Sequence, residues 1–272
     1  MNETFKPYLD RIQDELAAAL PFPVKEDWVK SAFGRLYDGV EPSHMTPLLK
    51  PTCELVSLGG KRWRPLFLVL CAQAVLVSHN APEEAQQGLL RTAFHLTPLV
   101  EFVHTASLIH DDIEDSSQFR RGKPVAYISY GLDTALNAAS WLYFTAPICI
   151  NTLLCPQELK AKLYYLYSME LRRLHLGQAM DILWHRNPAL IPTEDEYRAM
   201  VRNKTGTLAR MAVKIGIMAG GGTADEAERA GKLAEDIGVG FQILDDVTNL
   251  TTGNPGKKRG DDIVEGKKSL PV

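Results

Sequence analysis

Apolar residues recur at helical spacing along nearly the whole chain, and proline and glycine cut the pattern into segments. Residues 1–20 predict a first helix, ended by Pro21 and Pro23, and residues 26–40 a second, punctuated by Gly39 and Pro42. Residues 47–58 carry a third, which stops at Gly59 and Gly60. Residues 85–109 read as one long helix that runs straight into a cluster of acids. A loop, GKPVAYISYG, follows, and helical spacing resumes over 131–154 and 157–185. Pro188 and Pro192 mark a turn, and Thr193 with Glu196 three residues later has the chemistry of a helix start. Another apolar helical run carries Lys204 and Thr205 and ends at the glycines 220–222. Thr223 and Asp225 open the last long helix, which passes Phe241 and Gln242 to reach a second acid pair. No segment alternates with strand period between hairpin turns, so the pattern predicts an all-α protein.

Composition narrows the class without changing the architecture. The chain has 272 residues, of which 45% are apolar and 23% charged, as in ordinary globular proteins. A net charge of -3 and a pI near 6.2 argue against a general nucleic-acid binder. Four cysteines, Cys53, Cys71, Cys149 and Cys155, show neither a CxxC pair nor zinc-ligand spacing, and read as free thiols in a reducing compartment. The N-terminal 20 residues carry early acids and do not resemble a signal peptide. The longest apolar runs, 63–77 and 141–154, fall short of the roughly 20 residues that span a bilayer. A soluble cytoplasmic enzyme is the expectation.

The candidate chemistry centres on SLIHDDIEDSSQFRRG, residues 107–122, where Asp111, Asp112, Glu114 and Asp115 crowd together ahead of Arg120 and Arg121. On a helix Asp111 and Asp115 lie one turn apart, with Asp112 beside them, and no nearby residue of that helix neutralises them. A solvated acidic helix end is the plain alternative. Two features favour a cation site: an apolar run leads into the acids, and a second pair, Asp245 and Asp246, ends a similar run. Facing carboxylate clusters suit Mg2+, which binds a few carboxylates together with phosphate oxygens. Elsewhere, GGKRWRP places Lys61 and Arg64 at a helix start, as either an anion site or a basic cap. His104 lies seven residues before Asp111 on its face, and is either a ligand contact or a core histidine. Gln178 and Asp181 sit one turn apart in GQAMD.

Taken together, GGKRWRP, HTASLIHDDIED, RRGKP, GQAMD, KTG, GFQILDD and GKKRGDDIVEGKKSLP resemble the trans-isoprenyl diphosphate synthases, the polyprenyl synthetase family, over about residues 55–272. The resemblance implies a single-domain helical bundle around a central cavity for two diphosphate substrates, usually as a homodimer. An allylic diphosphate ionises there, isopentenyl diphosphate attacks the cation, and a proton is lost. Asp111, Asp112, Asp115, Asp245 and Asp246 would hold Mg2+, three ions when substrate is bound. Arg120 would contact the allylic diphosphate, and Lys61, Arg64, His104 and Arg121 would bind isopentenyl diphosphate. Lys204, Thr205 and Gln242 would line the allylic site beside Gln178 and Asp181, and Lys257 would reach the leaving group.

The same resemblance places Ala106 and Ser107 at the floor of the elongation cavity, where two small residues imply geranylgeranyl diphosphate or a longer product. Asn249 replaces the usual last acid of the second cluster, and the chain ends at Val272 where the family continues through further helices. The chain over 1–272 is therefore expected to be one prenyl-synthase domain lacking the last C-terminal helices. Two alternatives share parts of the pattern: a class I terpene cyclase and a non-catalytic subunit of a heteromeric synthase. The retained first acid cluster and the basic GGKRWRP stretch favour the synthase.

Overall fold

A computed structural model describes residues 3–253, 259, 260, 263 and 266–269. The helices are α1 (Lys6–Ala19), α2 (Glu26–Phe33), α3 (Thr46–Ser57), α4 (Trp63–Ser78), α5 (Glu83–His95) and α6 (Pro98–Glu114), followed after a short hairpin by α7 (Ala126–Tyr130), α8 (Leu132–Thr145), α9 (Ile148–Asn151), α10 (Gln157–Arg186), α11 (Glu194–Val201), α12 (Thr207–Ala219) and α13 (Ala224–Thr251). The described chain is an all-α bundle, as its periodicity predicts. Thr193 and Thr223 both cap their helices with reciprocal bonds to Glu196 and Glu226, satisfying backbone donors that a helix start leaves free.

The centre of the bundle is formed by α4, α6 and α12. Nearly every residue of α12 is buried, and in α6 burial runs from Pro98 to Asp112. Glycine lets α12 sit directly on α4, since a Cβ at Gly216 would lie 2.2 Å from the Leu68 carbonyl oxygen and one at Gly220 2.7 Å from that of Ala72. No helix among the described residues is long and apolar enough to cross a membrane.

The structure departs from the sequence pattern in several places, and the loop expected after the arginines contains α7. The helix expected over 85–109 is broken, because Pro98 starts α6 and its ring cannot follow a continuous helix. The Thr97 hydroxyl bonds the Phe94 carbonyl at 2.7 Å across the break. The second helix stops at Phe33, where Gly34 takes φ +69°, and the 131–154 pattern divides into α8 and α9 at Ala146 and Pro147. Finally, β1 (Phe119–Arg120) and β2 (Lys123–Pro124) pair antiparallel around a two-residue turn. Arg121 and Gly122 occupy that turn at φ +53° and +78°, the left-handed pair that a tight hairpin requires.

Candidate active site

α6 ends at Glu114, so the four acids stand at the negative end of a helix dipole, where carboxylates are disfavoured by about 0.3–1 kcal/mol each. Asp245 and Asp246 stand in the last two turns of α13, again toward a C-terminal end. Both groups open on one cavity of about 240 Å3, walled by Asp111, Asp245 and Asp246 together with Gln178, Asp181, Lys204, Thr205 and Gln242. Residues far apart in the chain are thus brought face to face, as the two apolar runs leading into acids predict.

The acids are neutralised from other elements. Lys204 Nζ lies 2.5 Å from Asp181 Oδ2 and 3.2 Å from Asp111 Oδ1. Gln178 Nε2 donates to Glu114 Oε2 at 2.5 Å and to Asp111 at 3.3 Å. The hairpin folds Arg120 back onto α6, where its Nε donates to both oxygens of Asp112 at 2.7 and 2.8 Å. Asp112 therefore points away from the main cavity and, with Arg120, lines a smaller one of about 80 Å3. Asp115 is paired with Lys267 at 2.6 Å, and Lys267, Lys268 and Ser269 return over the cavity as part of its wall.

Burial raises the carboxyls of Asp112, Glu114 and Asp115, and their mutual repulsion adds to it. Burial acts on Asp111 too, but Lys204, Lys267 and Arg120 together hold it far below the carboxylate range. Burial would lower the Lys204 ammonium, yet Asp111 and Asp181 outweigh it and keep the charge in place. Among the described residues, no three His, Cys, Asp or Glu side chains form a ready-made metal cage. The acids that face the cavity, Asp111, Asp181, Asp245 and Asp246, offer hard carboxylate oxygens. That set suits Mg2+ completed by phosphate oxygens rather than an all-protein site.

At the cavity's other end Arg64 Nη1 lies 3.3 Å from His104 Nε2. Burial, then the Arg64 charge, pushes His104 down to about 4, so its ring is neutral at pH 7. Arg64 Nε is buried with no hydrogen-bond partner among the described residues, whereas His104 Nδ1 stands 3.5 Å from the buried Glu101 carboxylate. Lys61 and Arg121 are not on this wall. Lys61 is exposed, with its amine 5.8 Å above the Phe241 ring. Arg121 donates to the Leu55 carbonyl at 3.1 Å and packs on Gly60, where a Cβ would lie 2.8 Å from its guanidinium.

Arg62 separates Lys61 from Arg64. It takes the left-handed conformation (φ +48°) and turns inward, where it pairs with buried Glu101 and donates to the Val56 carbonyl. Sequence reasoning passed over this pair; the signal was an arginine between Lys61 and Arg64 in GGKRWR and an acid three residues before His104. It also missed Tyr197, whose hydroxyl bonds Asp246, and Lys267. Gln242 links Asp246 (2.9 Å) to the Thr205 hydroxyl (2.9 Å). Asn249 is fully buried one turn beyond Asp245, and its amide side chain has no hydrogen-bond partner among the described residues. Ser107 is on the cavity wall, whereas Ala106 is packed in the core and does not line it. Lys257 lies outside the described residues.

A bundle whose central cavity sets two acid clusters against the half-buried cations Lys204 and Arg64 is of the kind that handles diphosphates. The polyprenyl synthetase family model matches residues 46–272, and the chain belongs to that family. It is similar to a geranylgeranyl pyrophosphate synthase of Gibberella zeae, with 36% identity over 231 residues, covering 84% of this chain and 57% of that one. It is also similar to a geranylgeranyl pyrophosphate synthase of Apiospora sacchari, at 42% over 176 residues, or 64% of this chain and 50% of the relative. The chain thus spans about half the length of the curated relatives it matches. Among solved structures, the geranylgeranyl pyrophosphate synthetase of Pyrococcus horikoshii superposes with a TM-score of 0.79 at 26% identity, covering 99% of this chain and 73% of that one.

Proposed function

We propose that the chain is a Mg2+-dependent prenyltransferase that joins isopentenyl diphosphate to an allylic diphosphate, giving geranylgeranyl diphosphate or a longer product. The observation that carries this reading is the single cavity shared by Asp111 and by Asp245 and Asp246, with Lys204 between the walls. The names of the Gibberella and Apiospora relatives support the same chemistry.

When bound, Mg2+ neutralises the charge that develops on a departing diphosphate. Asp111 and Asp115 would hold the metal from α6, and Asp245 and Asp246 from α13. Asp112, held by Arg120 in this structure, would complete the α6 set. Lys204 adds a fixed positive charge, preorganised by Asp111 and Asp181, at the point where negative charge grows. The Thr205 and Gln242 oxygens line the position of the allylic cation, beside Gln178 and Asp181. Arg64 and His104 take the isopentenyl diphosphate, with Lys61 and Arg121 reaching it from the adjoining loops. His104, neutral, accepts from Arg64 at Nε2 and so orients that guanidinium, and it takes no proton; the departing diphosphate accepts the proton that is lost.

A homodimer is the proposed assembly, supported by the apolar groove along α8 and α10, where Phe144 and Tyr164 stand exposed. The four free cysteines fit a reducing, cytoplasmic setting. Labelled isopentenyl diphosphate supplied with each allylic primer and Mg2+ tests the activity. The expected result is a prenyl diphosphate of 20 carbons or more. Hydrocarbon from geranylgeranyl diphosphate alone, or no condensation with any primer, overturns the proposal.

A further inference from the structure

Lys204 and Thr205 do not sit on an ordinary helix. Residues Arg202–Gly206 form a π-turn that joins α11 to α12 without a break in direction. A π-turn has poorer hydrogen bonding than an α-helix and survives where surrounding contacts hold it. Here glycines let it approach its neighbours: a Cβ on Gly177 of α10 would lie 2.3 Å from the Lys204 backbone nitrogen, and one on Gly238 of α13 2.8 Å from Gly206. Closeness alone does not fix which residues of the turn face the cavity.

We infer that Arg202, Glu235, Arg210 and Glu170 form a charge clamp that sets the register of this turn and so positions Lys204 and Thr205. Glu235 on α13 receives one cation from each side of the turn. Arg202 reaches it at 2.7 Å from the N-terminal side, and Arg210 pairs with it from the C-terminal side. Arg210 also donates its Nε to both oxygens of Glu170 at 3.0 Å, and the Thr207 hydroxyl bonds the same carboxylate. Glu170 and Arg210 are buried, and the outer partners Arg173 (3.2 Å to Glu170) and Asp236 (2.9 Å to Arg202) balance the charges. A buried ion pair costs desolvation and adds little net stability unless every oxygen is met, so its best-attested use is to fix register.

The placement along the helices fits that use. Glu170 precedes Gly177 by seven residues on α10, and Glu235 precedes Gln242 by seven on α13. Seven residues return to nearly the same helix face, about 10 Å along it. The clamp therefore lies two turns below the cavity, on the faces that carry Gly177 and the Thr205 partner Gln242. Its four members are positioning residues and do not line the cavity.

The inference rests on the proposed role of Lys204, so its test carries a readout independent of turnover. In Glu235→Gln, amide hydrogen exchange at 203–207 is expected to quicken about tenfold or more while α4 keeps its wild-type exchange. The kcat for condensation falls about tenfold, and KM for isopentenyl diphosphate, bound at Arg64 and His104, stays unchanged. Arg202→Met, at a half-exposed position, is expected to repeat the local effect and covers the case in which Glu235→Gln fails to fold. Arg198→Met, which breaks only an exposed pair with Glu194, leaves exchange at 203–207 as it was. Unchanged exchange at 203–207 in both clamp variants, or a rise spread evenly over the chain, overturns the clamp. A wild-type chain that makes no prenyl product overturns the activity instead, and the exchange measurement still decides the clamp.

Discussion

His104 is enclosed by Arg64 on one side and by Glu101, itself held by Arg62, on the other. Its folded value of about 4, against 6.5 for the free group, makes folding sensitive to acid. Between those values the unfolded chain binds a proton that the folded chain refuses, so stability rises with pH across the window and falls as pH drops from 6.5 toward 4. The full shift corresponds to about 3 kcal/mol. Glu101, where burial is outweighed by His104 and Arg62 to give about 2, adds a further loss below its ordinary 4.5. We expect the unfolding midpoint to fall steadily from pH 6.5 to 4.5, and His104→Gln to flatten that slope. Ser107 is the small residue on the cavity wall below Asp111, so Ser107→Phe should shorten the product; an unchanged chain length would remove this position from the floor. The acid clusters were legible in the sequence because charge after an apolar run is a strong local signal, whereas Arg64, His104 and Lys204 were assigned to the site by the family resemblance. Their partners were not legible. Lys204 to Asp181 and Lys267 to Asp115 join residues whose proximity only the packing creates.

Element boundaries divide in the same way. The capping boxes at Thr193 and Thr223 are written in four consecutive residues and could be read directly. The break before Pro98, the hairpin at 119–124 and the π-turn at 202–206 depend on the neighbouring helices, and helical periodicity runs through two of them unbroken. Gly177 shows how much the π-turn matters. In an exposed helix interior, glycine to alanine stabilises by about 1 kcal/mol. At Gly88 of α5 nothing lies within 4 Å of an added Cβ, and Gly88→Ala should show that gain. Gly177→Ala, which meets the Lys204 backbone, should instead destabilise by about 1–3 kcal/mol and reduce turnover. Denaturant unfolding of both variants checks the opposite signs; equal gains would mean that α10 and the π-turn are not in contact.

Across the whole molecule, two helices that carry carboxylates toward their C-terminal ends open on one cavity, and the bundle holds them there by packing α12 against α4 and α13. Isolated, each acidic end is a site of repulsion that burial makes worse. Under the proposed function, magnesium between them would offset that repulsion and bridge to a diphosphate. The most direct measurement is calorimetric titration of a non-ionising allylic thiodiphosphate into the wild-type chain, Asp111→Ala and Asp245→Ala, with and without Mg2+. Tight binding that requires Mg2+ and weakens at least ~100-fold in both variants, with turnover falling as far, is the predicted result. Mg2+-dependent binding left intact by either substitution would contradict a diphosphate held between the two walls.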